Sequence, residues 1–352
     1  MSLDGSLTAG FIHHIVKIMA EFISTFTTGF QNVVKKDLSI RFKGIKILNL
    51  YDGLIHYQYN ENSRDLEKIN YFNNTFFVLK TQKGKNLDFK NLVEAVKREN
   101  KYYLINKGSF RVRFQQENQF AKVDKKLVKT AEDTVLKNTR LVSDRVSPTT
   151  EIWYSIRSEG FAFCGQLISK REFTEKNLQK GELRPEVAYF MCRFADIAET
   201  PAVIAEPFCG YGSIPVQLAK HFRYSMLFVS DIDKEKIETV SQKKQLKDNP
   251  NIKVSAEDAF SLPQIPDKSV SYVITDPPWG FYEEIDDITL FYKKMFESFK
   301  RILAENGTMV ILSARKAEIE SVINSYGIIL EDKIDTLVNG KKASLYRLKF
   351  ST

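Results

Sequence analysis

The C-terminal half of the chain alternates helix and strand patterns without a break, and this alternation limits the fold more than any other feature. "PEVAYFMCRFADIA" has helical spacing, and "PAVIAEPF" is an extended run leading to Gly210 and Gly212. "SIPVQLAKHF", "KEKIETVSQKKQLK", "LFYKKMFESFKRIL" and "KAEIESVINSYG" read as further helices. Between them lie "SMLFVSDID", "IKVSAED", "SYVITD" and "GTMVILSA", which read as strands. The tail, "IILEDKIDTLVNGKKASLYRLKF", reads as two strands joined at an Asn-Gly turn. Such a pattern predicts an α/β fold with a mainly parallel sheet covered by helices on both faces. Sheets of this kind take ligands at the carboxyl ends of their strands, where the strand order reverses.

The strand ends are therefore the place to look for chemistry. The first predicted strand stops at Glu206 and is followed by "PFCGYGS". Gly210 and Gly212 allow a tight turn and close approach of backbone to a ligand. Ser213 is placed to cap the next helix, and Pro215 is tolerable in its first turn. The third glycine of the dinucleotide fingerprint is replaced by Pro215, and there is no G-K-[ST], so this is not a phosphate-binding P-loop. The second strand ends on Asp231, an acid able to accept both hydroxyls of a ribose. Asp233 reads as the N-cap of the following helix. The third strand ends at "AEDAF", where Asp258 can accept from an adenine amino group. A glycine turn, a ribose acid and a base-facing acid suit NAD and S-adenosylmethionine equally well.

The fourth strand end separates them. "TDPPWG" places Asp276, Pro277, Pro278 and Trp279 directly after a strand. Two prolines cannot continue a central strand, and they make the loop stiff. The Asp276 carboxylate and the Pro277 carbonyl are two acceptors that suit the two donors of an exocyclic amino group. Trp279 offers a flat face for a purine. Acceptors on the amine hydrogens draw the nitrogen lone pair out of ring conjugation and orient it for in-line attack on a methyl donor. A hydride-transferring enzyme has no evident use for this tetrad. No metal and no covalent enzyme intermediate is needed, which agrees with the residue inventory. The three cysteines are far apart, and the four histidines form no ligand spacing beyond the adjacent His13 and His14.

The N-terminal half has a different grammar. Residues 17–83 mix strands and helices, with a hairpin expected around Asp52-Gly53. A polar stretch at 81–87, "TQKGKNL", reads as a linker. Beyond it, Asp88 is placed to cap a helix. "SFRVRFQQEN" alternates Phe110, Val112 and Phe114 with Arg111 and Arg113. A basic helix carrying Lys125, Lys126 and Lys129 follows, then two strands around "RSEG". With 52 Lys and Arg against 44 Asp and Glu, the net charge of +8 favours a polyanionic partner. No apolar run approaches the ~20 residues of a membrane span, and the start lacks a signal-peptide layout. These observations predict a soluble, cytoplasmic protein.

"EPFCGYGS", "SDID", "EDAF" and "DPPWG" resemble the motifs of class I S-adenosylmethionine-dependent amino-methyltransferases. The wider chain resembles the THUMP-containing RNA guanine-N2 methyltransferases. That resemblance implies a terminal extension at 1–16, a ferredoxin-like domain at 17–83, a THUMP RNA-binding domain at 84–168 and a Rossmann-like methyltransferase domain at 169–352 with an antiparallel last strand. It implies S-adenosylmethionine as cofactor, bound by Arg184, Pro185, Glu206, Pro207, Phe208, Cys209, Gly210, Gly212, Asp231, Ile232, Asp258 and Ala259. Asp276, Pro277, Pro278 and Trp279 would form the catalytic loop. Arg111, Arg113, Lys125, Lys126 and Lys129 would contact RNA, most simply tRNA, and no metal or membrane is implied. The sequence departs from the family pattern at Glu206, where Asp is commoner, at Tyr211-Gly212-Ser213, where Ser-Gly-Thr is commoner, and at Trp279, where Tyr or Phe is frequent. The alternatives are the same chemistry on ribosomal RNA guanine or on adenine N6, and a non-catalytic RNA-binding adaptor.

Overall fold

The computed structural model describes residues 20–60, 64–99, 101–171, 178–281 and 284–351. The expected extension at 1–16 and the His13–His14 pair lie outside the described residues.

Two sheets organise the chain. The first is built from β1 (Ala20–Thr25), α1 (Gln31–Arg41), β2 (Lys46–Tyr51), β3 (Leu54–Tyr59), α2 (Arg64–Glu67) and β4 (Asn74–Lys83). It continues through α3 (Phe89–Lys97), β5 (Lys107–Gln116), β6 (Gln119–Phe120), α4 (Lys125–Asn138), β7 (Arg140–Ser143), β8 (Thr150–Arg157) and β9 (Phe161–Lys170). Several of these elements follow from local chemistry. The Asp88 carboxylate accepts from the Asn91 N–H and starts α3, while Asp124 accepts from the Lys126 N–H and starts α4. The Asp52-Gly53 turn joins β2 and β3, with Tyr51 opposite Leu54. In β5, Phe110 and Phe114 point into the core beneath α3 and α4, as the alternation requires.

The strands run β2-β3-β1-β4-β9-β8-β5-β6, with β7 beside β5. The antiparallel pairing of β4 with β9 stitches the two expected N-terminal units into one sheet. This pairing corrects the expected linker. Residues 81–83 lie in β4 opposite Phe161–Phe163 of β9, so the connecting stretch begins only at Gly84. The sheet curls strongly. β2 is four strands from β9 in the order, yet the rings of Tyr51 and Phe161 are 5.0 Å apart.

The second sheet comprises β10 (Ala202–Glu206), β11 (Tyr224–Asp231), β12 (Ile252–Ala256), β13 (Val270–Thr275), β14 (Leu303–Ser313), β15 (Ile328–Val338) and β16 (Lys341–Phe350). Their order is β12-β11-β10-β13-β14-β16-β15. The pairings from β12 through β14 are parallel, and those of β16 with β14 and β15 are antiparallel. Helices α5 (Pro185–Phe194), α6 (Ser213–His221), α7 (Lys234–Ser241), α8 (Ile288–Ile302) and α9 (Lys316–Ser325) connect the strands. Asp233 caps α7 as expected, accepting from Glu235 and Lys236 N–H groups. Ser213 does not cap α6: the cap is Gly212, and the Ser213 hydroxyl donates to the Leu183 carbonyl at 2.7 Å. The β15–β16 turn has Asn339 and Gly340 at φ of 49° and 76°, the two successive positive values of a type I′ hairpin. Tracing the chain, β10 is flanked by β11 on one side and β13 on the other, so the order reverses there.

The two sheets share a core. Phe30 stacks on Phe190 of α5 with centroids 4.5 Å apart, and Tyr71 stacks on Tyr189 at 5.3 Å. At the centre of this contact, Asp37 of α1 is 2% exposed. Its Oδ2 accepts from the Tyr71 hydroxyl at 2.7 Å and from Arg41 Nη1 at 3.3 Å. Its Oδ1 accepts from the Tyr189 hydroxyl at 2.9 Å and faces Arg193 Nε at 2.8 Å. A buried carboxylate with four donors is well satisfied, and removing it strands two buried hydroxyls and two cations. Asp37→Ala should lower the unfolding free energy by about 3 kcal/mol, measured by urea denaturation at neutral pH. A loss below about 1 kcal/mol would reduce the contact to a surface ion pair.

Candidate active site

The carboxyl ends of β10, β11, β12 and β13 open into one cleft of about 400 Å³. Pro207, Phe208, Gly210, Asp231, Ile232, Asp258, Ala259, Asp276, Pro277, Pro278 and Trp279 all line it. Motifs up to 72 positions apart, from Pro207 to Trp279, thus meet at one place. Parallel strands cause this, because their carboxyl ends all point the same way.

Backbone geometry fixes the first wall. Gly210 has φ +52°, and a Cβ built on it meets no atom within 4 Å, so it borders open space. Gly212 has φ +83°, and a Cβ there would approach Val240 Cγ2 at 3.1 Å. The two glycines therefore differ: one leaves room for a ligand, the other lets α6 pack against α7. Asp231 holds the turn in place. Its Oδ2 accepts from the Gly210 N–H at 2.8 Å and its Oδ1 from the Asp233 N–H at 3.0 Å. Asp258 Oδ1 accepts from the Phe260 N–H at 2.9 Å. Ile232 is 73% exposed on the cleft lip.

Five of the expected cofactor residues sit behind the wall rather than on it. Glu206 is buried and accepts from the Thr275 hydroxyl at 3.0 Å. Burial pushes its carboxyl well above the usual range, and nearby Asp276 and Asp231 add to the rise. Cys209 is a buried thiol inside the turn, raised in pKa by burial. Gly212 takes the structural part described above. Arg184 pairs with the buried Glu186 at 3.4 Å, and Pro185 is the first residue of α5. The neighbour Leu183 reaches the cleft instead.

The opposite wall is the Pro-Pro loop. Asp276 Oδ1 is enclosed and has no hydrogen-bond partner. Desolvation pushes this carboxyl up to about 8, and the Trp279 side chain pulls it back slightly. The residue as a whole is half-buried, but the oxygen that counts is sealed. Trp279 is half-buried, and its indole N–H donates to the Leu312 carbonyl at 3.2 Å, which fixes the ring at the cleft edge. Its carbonyl accepts from Arg315 Nε at 2.8 Å.

Other cleft residues were not legible as such. Phe260, Phe208 and Phe291 form an aromatic group, with Phe291 5.2 Å from Phe260 and 5.7 Å from Phe208. Phe260 stands in the "EDAF" motif and could have been included. Phe291 lies on α8, and Val338, Asn339 and Lys341 come from the distant β15–β16 hairpin, which no local signal ties to the site. No cluster of His, Cys, Asp and Glu suited to a metal occurs among the described residues.

The expected RNA residues lie elsewhere, on the first sheet. Lys125, Lys126 and Lys129 are exposed on α4. Arg111 and Arg113 are committed to the buried Glu151. Arg111 Nε donates to it at 2.8 Å, Arg113 Nε lies 3.7 Å from it, and Arg113 also stacks on Phe120.

Comparison with known proteins adds the chemistry. Residues 171–341 match the family profile described as "RMKL-like, methyltransferase domain". That stretch, just under half of the chain, is similar to a methyltransferase domain. A curated relative, the U6 snRNA (guanine-N(2))-methyltransferase THUMPD2 of Bos taurus, is 28% identical over 134 residues. That match covers 37% of this chain, and the chain spans only 25% of the relative's length. Among solved structures, TrmN from Thermus thermophilus superposes with a TM-score of 0.76 at 18% identity, covering 94% of this chain and 100% of TrmN. The protein SMU.472, solved complexed with SAH, gives a TM-score of 0.69 at 13% identity over 95% of this chain and 98% of its own. At these identities the structural likeness is one of fold. It spans both sheets, and it agrees with the expected α/β, Rossmann-like architecture.

The methyl donor of this domain is S-adenosylmethionine, and the residues present suit it. Gly210 leaves an open cradle, Asp231 and Asp258 offer acceptors at successive strand ends, and Asp276 lines the same cleft. In Gly210→Ala the new methyl meets no protein atom, but the φ of +52° strains an L-residue by about 1 kcal/mol, so the variant should fold with slightly lowered stability. It should weaken S-adenosylmethionine binding at least about ten-fold by overpacking the cradle, measured by calorimetry. Unchanged affinity would place the cofactor elsewhere.

Proposed function

We propose that the protein transfers a methyl group from S-adenosylmethionine to the exocyclic N2 of a guanosine in tRNA, in the cytoplasm. One observation carries this reading: a desolvated carboxylate oxygen without a partner, on a stiff Pro-Pro loop, beside a cofactor cradle. Such an oxygen calls for a donor, and an aromatic amino group supplies two. The family domain and the guanine-N2 name of the bovine relative support the same choice. The exposed lysines of α4 and the net charge of +8 suit an RNA partner. Among the described residues no helix is long and apolar enough to cross a membrane.

When bound, the cofactor supplies an electrophilic sulfonium methyl. The chain supplies position and charge. The Asp276 carboxylate and the Pro277 carbonyl accept the two N–H bonds of the target amine and aim its lone pair into the cleft. Trp279 presents its half-buried ring to the base. The N–C bond would form as the methyl's C–S bond breaks, its electron pair staying on sulfur as a neutral thioether leaving group; positive charge would grow on the amine nitrogen, where the Asp276 carboxylate stabilises it. The departing proton passes to the Asp276 carboxylate. A carboxyl raised to about 8 is a far better proton acceptor than an ordinary one.

Transfer of labelled methyl to unmodified tRNA, followed by nucleoside analysis, tests the assignment. N2-methylguanosine is expected. Label confined to ribosomal RNA, or recovered as N6-methyladenosine, would support the alternative targets, and RNA binding without transfer would support the adaptor. Asp276→Ala should lower kcat at least ~10²-fold while S-adenosylmethionine affinity stays within about three-fold.

The raised carboxyl also predicts a pH signature. The folded state holds a proton on Asp276 that the unfolded chain releases from about pH 4 upwards. Its contribution to stability is therefore present at low pH and lost as pH rises towards 8. Asp276→Asn should remove this slope and be the more stable protein above pH 8, although inactive. Activity of the native enzyme, which needs the ionised form, should rise with pH to a plateau at or below pH 8, since bound cations and amine donors favour ionisation. A flat stability difference between pH 4 and 9 would mean that Asp276 is not desolvated.

A further inference from the structure

The mouth of the cleft carries a cationic arrangement that the reaction as described does not use. Phe281, next after Gly280 of the Pro-Pro loop, is 43% exposed. Lys341 Nζ lies 3.7 Å from its ring centroid, and the Arg315 guanidinium carbon lies 4.6 Å from the same centroid. The two charges are thus within about one Debye length, ~8 Å, of each other. Like charges this close repel, and the ring offsets the repulsion only in part. Arg315 Nη1 has Glu318 at 3.8 Å, but no described carboxylate forms a salt bridge with Lys341. An anion approaching the mouth would find a preformed seat.

The seat is coupled to the chemistry. Arg315 Nε donates to the Trp279 carbonyl, which ties the guanidinium to the acceptor loop. Lys341 follows the Asn339-Gly340 turn at the tip of the β15–β16 hairpin and lines the cleft itself. The cleft lining carries Asp231, Asp233, Asp258 and Asp276 with Lys180 and Lys236 among them, whereas Lys341 and Arg315 gather two cations on Phe281 at the mouth. A nucleotide entering with its base inwards and its phosphate outwards satisfies both.

We propose that Lys341 and Arg315, arrayed on Phe281, bind the phosphodiester adjoining the target nucleotide and so set the depth to which its base enters. This rests on the nucleic-acid substrate proposed above. The bond is ionic and involves no covalent step. It makes Lys341 a positioning residue that selects polynucleotides over free nucleosides.

The test combines Lys341→Gln and Lys341→Arg with substrate RNA carrying, at the linkage beside the target, either the natural phosphate or a neutral methylphosphonate. Lys341→Gln should raise KM for RNA about ten-fold, leave kcat within about two-fold, and leave S-adenosylmethionine affinity unchanged. Lys341→Arg should restore KM. In direct binding, the logarithmic salt slope should fall by about 0.7 in the glutamine variant. The neutral linkage should weaken binding by native protein more than by the variant, in which Arg315 alone remains to hold the phosphate. Additive losses from the variant and the neutral linkage, or a lower kcat at unchanged KM, would overturn the assignment. Native protein that binds RNA through Lys341 yet transfers no methyl group would sink the reaction and leave the seat standing. Native protein that binds no RNA would sink both.

Discussion

The cleft exists because β10 lies between β11 and β13, paired to both in parallel. A parallel ladder makes every strand end on the same edge. The reversal of order at β10 then leaves a gap there between helices that run to opposite faces. Glu206, Asp231, Asp258 and Asp276 converge on that edge because each stands at or just beyond the end of its strand. The glycine turn, the aromatic group and the Pro-Pro loop are arranged around the same gap.

Convergence of carboxyl groups in a half-dry cleft has a cost. Burial raises both Glu206 and Asp276, and Asp276 and Asp231 raise Glu206 further. The sequence could relieve this with an amide or an apolar residue, and stability would rise. Under the proposed function the acids would serve a cationic methyl donor, an amine that becomes cationic during alkylation, and a proton to carry away. Asp276 Oδ1 and Glu206 Oε2 are buried without a hydrogen-bond partner, a negative environment that suits a positively charged transition state on that reading.

The first sheet matters to that chemistry through its attachment. Asp37, with Tyr71, Tyr189, Arg41 and Arg193, ties α1 to α5, the helix that enters the methyltransferase domain. Thr336 of β15 also donates to the Thr28 carbonyl at 2.8 Å. A nucleic acid held on α4 would thus be held at a fixed place relative to the cleft, because the β4–β9 ladder and the shared core leave few soft connections between them.

Most of the cleft was legible in the sequence because its parts are local. An acid at a strand end, two glycines with positive φ, and a proline pair that forbids strand continuation are properties of neighbouring residues, and the αβ alternation fixes which edge they share. The caps Asp88 and Asp233 and the turns at Asp52-Gly53 and Asn339-Gly340 were readable for the same reason. Tertiary structure alone decided the rest. The pairing of β4 with β9 turned a supposed linker into strand, since ladder partners far apart in the chain leave no local trace. Arg111 and Arg113 looked free in an alternating strand, but Glu151 on the neighbouring strand claims them. Lys341 is 65 positions from Asp276, and only the return of the β15–β16 hairpin brings it to the mouth of the same cleft. Local sequence specifies backbone conformation and the chemical character of each strand end, whereas which charges become neighbours depends on strand order and register, fixed by the cooperative packing of the whole chain.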